Sequence, residues 1–210
     1  MKVFIVSSSP EYERMFIDQG WEVVDSWVKC DMIQFTGGAD VSPSLYQEEP
    51  HASTYSNPTR DSEEKEIFLR ARRKGIPLAG ICRGGQFLNV MSGGKMWQDV
   101  NNHALVGRHK IHDVWSKEIY EGTSTHHQMI RPSIEGMLIA YANETTLWKT
   151  MENPPFVDSK ERLLDTEVVY YKHTNALCFQ PHPEFNNGHQ CRRYYFRYIL
   201  DYLFNKPLEE

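Results

Sequence analysis

The stretch "IPLAGICRGGQFLNVMSGG", residues 76 to 94, decides the fold because its character changes in the middle. Residues 76–82 form a short apolar run that reads as a buried strand, and residues 87–94 read as a short helix, so the chain turns sharply around Cys82. Gly80-Ile81-Cys82-Arg83-Gly84 has the G-x-nucleophile-x-G spacing of a strand-to-helix elbow that lifts one side chain above a sheet. Glycines on both sides let helix and strands approach closely despite a strained turn. A cysteine there sits at a helix N-terminus, which favours thiolate over thiol, and the backbone N–H of Arg83 can point at an oxyanion. Taken alone, the pentapeptide also fits a buried structural cysteine.

Upstream the pattern alternates. Residues 2–8 form a β-branched run, 10–20 a short helix closed by Gly20, 21–26 a second strand and 31–38 a third. A long loop rich in Ser, Pro, Asn and Thr follows (39–59), and loops of that length in compact domains are usually functional. Residues 60–75 then carry Asp61, Glu63, Glu64 and Glu66 at one end and Arg70, Arg72, Arg73 and Lys74 at the other, a polarity that complements a helix macrodipole. The basic end resembles a phosphate patch, but helix electrostatics account for it. After residue 103 the segments become strand-rich: 109–115, 118–122, 126–130, 136–144, 167–173 and 176–180. Residues 191–205 place Phe196, Ile199, Leu200, Leu203 and Phe204 at helical spacing, which predicts an amphipathic helix packed on a sheet rather than an RNA-binding surface.

Strands alternating with helices predict an α/β fold, a doubly wound and mostly parallel central sheet with helices on both faces, with a strand-rich insertion in the second half. The 210 residues are expected to form a single domain. In such sheets the site lies at the carboxyl ends of the strands, where "TGGAD", "CRGGQ" and "QPHPEF" should converge.

Composition narrows the partners. With 40% hydrophobic and 24% charged residues the chain is an ordinary globular protein, and no apolar run reaches the length of a membrane span. A net charge of −5 argues against nucleic acid or an acidic membrane as partner. Four cysteines without a CxxC pair suggest neither a zinc ribbon nor a disulfide framework, and a reducing, cytoplasmic setting is expected.

A cysteine nucleophile needs a base and an orienter. Gln180-Pro181-His182-Pro183-Glu184 supplies both: in an extended segment residues two apart share a side, so Glu184 can support the His182 imidazole while His182 reaches Cys82. Gly37-Gly38 at the end of the third strand lets a backbone N–H approach a reacting carbonyl oxygen. Asp40 fixes that loop. Thr125-His126-His127-Gln128 invites a metal reading, but adjacent strand residues face opposite ways, and His103, His109 and His112 show no recognised spacing, so no metal and no cofactor are expected.

Together these segments resemble the class I glutamine amidotransferase-like superfamily, and within it the γ-glutamyl hydrolases (peptidase C26) related to γ-glutamyl-γ-aminobutyrate hydrolase. "GGADVSPSLY" (37–46), "GICRGGQFLNV" (80–90), "GGKMWQDV" (93–100), "HHQ" (126–128) and "QPHPEF" (180–185) are each similar to that group's motifs, in order. The resemblance implies a flavodoxin-like fold and a Cys-His-Glu triad that cleaves a γ-glutamyl amide through a thioester. Cys82 would be the nucleophile, His182 the base and then acid, Glu184 the orienter, and Gly38 and Arg83 the oxyanion donors. Gly37, Gln86, His127 and Gln128 would line the substrate pocket. Gly85 and Pro181 depart from the group's usual residues, and the leaving amine is expected to be chosen there. The implied partner is a small γ-glutamyl substrate; a separate synthetase or amide ligase fed with ammonia, and a second copy of the chain, stay open.

Overall fold

The computed structural model describes residues 1–104, 107–144, 164–185 and 189–206. The first half runs β1 (Lys2–Val6), α1 (Pro10–Ile17), β2 (Glu22–Val23), β3 (Met32–Phe35), α2 (Pro58–Lys74), β4 (Leu78–Ile81) and α3 (Arg83–Met91). The second half runs β5 (Lys95–Trp97), β6 (Gly107–Asp113), β7 (Ile119–Ser124), β8 (Met129–Arg131), β9 (Met137–Ala142), β10 (Asp165–Tyr171), β11 (Ala176–Phe179) and α4 (His189–Tyr198).

Nine of these strands form one sheet in the order β2-β1-β3-β4-β11-β10-β9-β6-β7. From β2 to β11 every neighbour is parallel. From β11 to β7 every neighbour is antiparallel, which is the strand-rich second half. β5 and β8 pair separately.

The central parallel strands β3, β4 and β11 are buried on both faces, and alternate residues serve two cores. Met32, Ala79, Ile81, Leu177 and Phe179 pack with Tyr12, Met15 and Phe16 of α1 and Cys191, Tyr195 and Tyr198 of α4. Ile33, Phe35, Leu78, Ala176 and Cys178 pack on the other face with Phe68 and Ala71 of α2 and Phe87, Leu88 and Val90 of α3. Helices therefore cover both faces, as the alternation predicts. The aromatic residues of α4 serve the core.

α2 is defined at both ends. Asn57 accepts a hydrogen bond from the Arg60 amide at 3.1 Å, Pro58 opens the first turn, and Gly75 closes the last in the left-handed region at φ 67. Two expectations contract. The second strand keeps only Glu22–Val23 at the sheet edge before a 3-10 turn at Trp27–Lys29. In 126–130 only Met129 and Ile130 are strand residues, paired with β5, and His126–Gln128 form the approach to β8.

Candidate active site

β3, β4 and β11 are adjacent and parallel, so their carboxyl ends open side by side, bringing Gly37, Cys82 and His182 together. A Cβ built on Gly37 would lie 3.2 Å from His182 Cε1, 3.3 Å from the Tyr12 hydroxyl and 3.7 Å from Cys82 Cβ.

Cys82 occupies the elbow with φ 50 and ψ −114, a conformation that costs a non-glycine residue strain energy. Its amide donates to Phe179 O at 2.8 Å and its carbonyl accepts from Gln86 N at 3.0 Å, so strand pairing on one side and the first turn of α3 on the other hold the strain. The flanking glycines are required by contact. A Cβ on Gly80 would overlap the Gly84 carbonyl, one on Gly84 would overlap Phe35 O, and one on Gly85 would come within 2.8 Å of Phe179 N. Gly85 therefore faces β11 and lets helix meet sheet; it does not shape the acceptor side of a pocket. Pro181 packs its Cγ toward Gly122 of β7. The expectation that these two positions choose the leaving amine is not supported by where they point.

His182 and Glu184 pair as expected, at 2.6 Å between Nδ1 and Oε1, but in a turn rather than an extended segment. The His182 amide donates to Thr123 Oγ1 at 2.5 Å, and Phe185 stacks on the imidazole with centroids 4.6 Å apart. With Nδ1 committed to Glu184, Nε2 is the nitrogen left for Cys82. Burial disfavours charge on His182, yet the Cys82 sulfur and the Glu184 carboxylate outweigh it and hold its pKa up at about 10.

The Gly37-Gly38 loop is oriented from behind. The Gly37 amide donates to the Tyr12 hydroxyl at 3.0 Å, so it is already engaged. Arg60 donates to Gly37 O and to Thr36 O, both at 2.9 Å. Carbonyl and N–H of a trans peptide point in opposite directions, so the Gly38 amide points away from Arg60. Gly38 has φ 139, and a Cβ there would overlap Arg60 Nη1.

The Arg83 amide opens α3, while its side chain turns back into the protein and pairs with Asp61 and Glu64 of α2. Arg83 is 1% exposed and its partners are equally buried. Glu64 also pairs with Arg60 at 2.7 Å, and Asp61 Oδ2 accepts from Ser42 N at 3.0 Å. Two arginines and two carboxylates thus lock α2, the glycine loop and the elbow to one another. Macrodipole reasoning missed this. The available signal was that Asp61 and Glu64 share the buried stripe of α2 with Phe68 and Ala71, where acidic side chains need partners.

Gln86 follows Cys82 by one helical turn. Its amide donates to Gln128 O and Gln180 Oε1, each at 3.2 Å. Gln128 Nε2 donates to Thr54 Oγ1 at 3.3 Å, and Gln128 Oε1 and Gln180 Nε2 are buried without a partner. His127 is held by Asp40 at 3.2 Å and Asp99 at 3.7 Å, while Asp40 also braces its loop by accepting from Tyr55 N at 2.8 Å.

The fold is that of the class I glutamine amidotransferases: a glutamine amidotransferase of Thermotoga maritima superposes with TM-score 0.63 at 14% identity, over 94% of this chain and 82% of that one. A chain of the PurLQS structure from the same organism matches with TM-score 0.63 at 14% identity, over 96% and 98% of the two chains. The chain belongs to the Peptidase C26 family, whose model matches residues 17–150, including Cys82 and His127 but ending before His182. The glutamine amidotransferase-like protein YvdE of Lactococcus lactis is 31% identical over 188 residues, which cover 80% of this chain and 72% of that protein. Five further relatives are each matched over less than half of their own length. Among the described residues no helix is long and apolar enough to cross a membrane.

Proposed function

We propose that the protein hydrolyses γ-glutamyl amide bonds, of glutamine or of γ-glutamyl amines, through a γ-glutamyl thioester on Cys82. The observation that carries this reading is the Glu184-His182 pair, 2.6 Å apart, set beside a cysteine at a strained elbow. The Cys82 sulfur and the Glu184 carboxylate hold the His182 pKa up at about 10, which favours the protonated ring that can donate to a leaving amine; the chemistry starts when Cys82 beside it is the thiolate.

The thiolate attacks the γ-carbonyl carbon, and the oxyanion accepts hydrogen bonds from the Gly38 and Arg83 amides. His182 transfers its Nε2 proton to the amide nitrogen, the C–N bond breaks and the amine leaves. Water then attacks the thioester while His182 takes its proton; the C–S bond breaks, glutamate departs, and the thiolate–imidazolium pair returns. Glu184 keeps Nδ1 protonated and the ring oriented throughout. Gln86, His127 and Gln128 are read as the polar wall of the glutamyl pocket, with His127 the most exposed member of the three. All four cysteines are free, which is compatible with a reducing, cytoplasmic setting.

A panel of γ-glutamyl amines and glutamine should release glutamate, and Cys82→Ala should abolish release. No turnover on any member, with the thiol titrating as free, would refute the reading. A second reading is a glutaminase subunit that passes ammonia to a separate synthetase or ligase. It is favoured by the likeness of the chain, in size and fold, to one in the PurLQS structure. Under it, glutamine hydrolysis is negligible alone and rises on adding the partner.

A further inference from the structure

Behind the candidate pocket lies a cluster that the proposed hydrolysis does not use. His103, His109 of β6, His126 and Glu167 of β10 are all buried. Glu167 Oε1 is their common focus: His109 Nε2 lies 3.2 Å from it, His103 Nδ1 3.4 Å and His126 Nε2 3.8 Å. The donor atoms of His103, His109 and Glu167 all lie within 4.8 Å of one another. Apart from the facing His109–Glu167 pair, none of these atoms meets a hydrogen-bond partner in good geometry, and His109 Nδ1 is buried without one as well.

The outer ring nitrogens fix which way the lone pairs point. His126 Nδ1 lies 2.8 Å from Gln128 O, and a carbonyl only accepts, so the proton is on Nδ1 and a neutral ring turns its Nε2 lone pair toward Glu167. His103 Nε2 lies 3.2 Å from Asp165 Oδ2, so its proton faces that carboxylate and the Nδ1 lone pair faces Glu167. Two imidazole lone pairs aimed at a carboxylate oxygen repel unless something positive sits there, either a proton on His109 Nε2, 3.2 Å from the same oxygen, or a bound cation that replaces it. Histidines whose far nitrogen is held by a carboxylate or a backbone carbonyl are the usual outer arrangement of metal ligands.

Zinc bound tetrahedrally at about 2.0–2.1 Å sets ligand atoms roughly 3.3 Å apart, which the His109 and His103 separations from Glu167 match; His126 Nε2, at 3.8 Å, lies outside the close group and borders it. We propose that His103, His109 and Glu167 bind one divalent transition-metal ion with the ligand preference of zinc, with His126 as the neighbouring fourth donor that moves in on binding. Imidazoles and a carboxylate suit such an ion, and because all four side chains are buried the role assigned to it is structural rather than catalytic. The ion would fasten the His126–Gln128 segment to the sheet. Gln128 O also accepts from Gln86, and the Glu167 carbonyl accepts from the Gln180 amide at 2.8 Å, so the site stands directly behind residues of the candidate pocket. The proposal does not depend on the hydrolase reading.

The test is metal uptake by the full chain, stripped with a chelator and then titrated with Zn2+ or Co2+. Wild type and Cys82→Ala should each take up one ion per chain and melt at higher temperature with zinc. Co2+ should give tetrahedral d–d bands without a thiolate charge-transfer band, a readout that needs no variant. Glu167→Gln, close in shape, should lose the ion, and His109→Gln provides a second loss variant should the first fold poorly. Wild type that takes up no ion at micromolar metal would overturn the proposal, as would an ion kept by Glu167→Gln and lost by Cys82→Ala.

Discussion

Arg60 donates to the Gly37 carbonyl at 2.9 Å and thereby decides which way the amide of Gly38 faces. The guanidinium never needs to touch a substrate for this. It fixes a peptide plane, and the same side chain is itself fixed by Glu64 and by the Thr36 carbonyl.

Arg60→Ala should lower kcat/KM by about 100-fold, the scale of losing one oxyanion donor, and the loss should fall on kcat more than on KM. Alkylation of Cys82 by a small neutral electrophile should stay close to the wild-type rate, since thiol and imidazole are untouched. Arg60→Lys should recover little, because an ammonium cannot span both carbonyls as the fork does. An unchanged kcat would contradict the positioning role.

Removing one buried acid leaves Arg83 partly uncompensated. Glu64→Gln should destabilise the fold by about 3 kcal/mol in chemical denaturation, the lower end for breaking a buried ion pair. A loss comparable to that of an exposed pair, about 0–1 kcal/mol, would mean that the cluster is not carrying charge as described.

Gly85 makes helix–strand contact, so Gly85→Ala should cost about 1–3 kcal/mol through overpacking against Phe179. Relative rates across a panel of γ-glutamyl amines should be preserved. A changed preference with unchanged stability would restore Gly85 to the acceptor pocket.

His182 gives a signed pH dependence. Its folded pKa is raised from 6.5 to about 10, so the stability it adds is fully present below about pH 6.5 and is lost as pH rises through about 10. The stability gap between wild type and His182→Gln should therefore narrow over that window. In an NMR titration of the His182 ring, Cys82→Ala should bring the pKa down toward its ordinary value. A ring that titrates near 6.5 in wild type would contradict this pH dependence.

How much of this was legible depends on the range of the interactions. The elbow could be read directly because strand, Gly80, Cys82 and Gly84 are contiguous, and clearance for the helix is a local requirement. The Gly37, Cys82 and His182 loops could be expected to converge because the carboxyl ends of parallel strands must share an edge. The pairing of Arg83 with Asp61 and Glu64 spans 22 and 19 residues, and the helix electrostatics of 60–75 offered a sufficient local reason for the same acids. The histidine cluster escaped for a related cause. His103 reaches Asp165 across 62 residues, and the strands that bring them together belong to the antiparallel half, whose pairing the spacing does not reveal. Gly85 was misassigned because adjacent glycines do not declare which one faces the sheet.

The central claim is the thioester. Wild-type protein should be quenched with acid during turnover of a mixture of γ-glutamyl compounds, digested and examined by mass spectrometry. A γ-glutamyl group should be found on the peptide containing Cys82 and absent from Cys82→Ala; rapid substrate turnover with Cys82 unmodified, or the same adduct on another residue, would contradict the account.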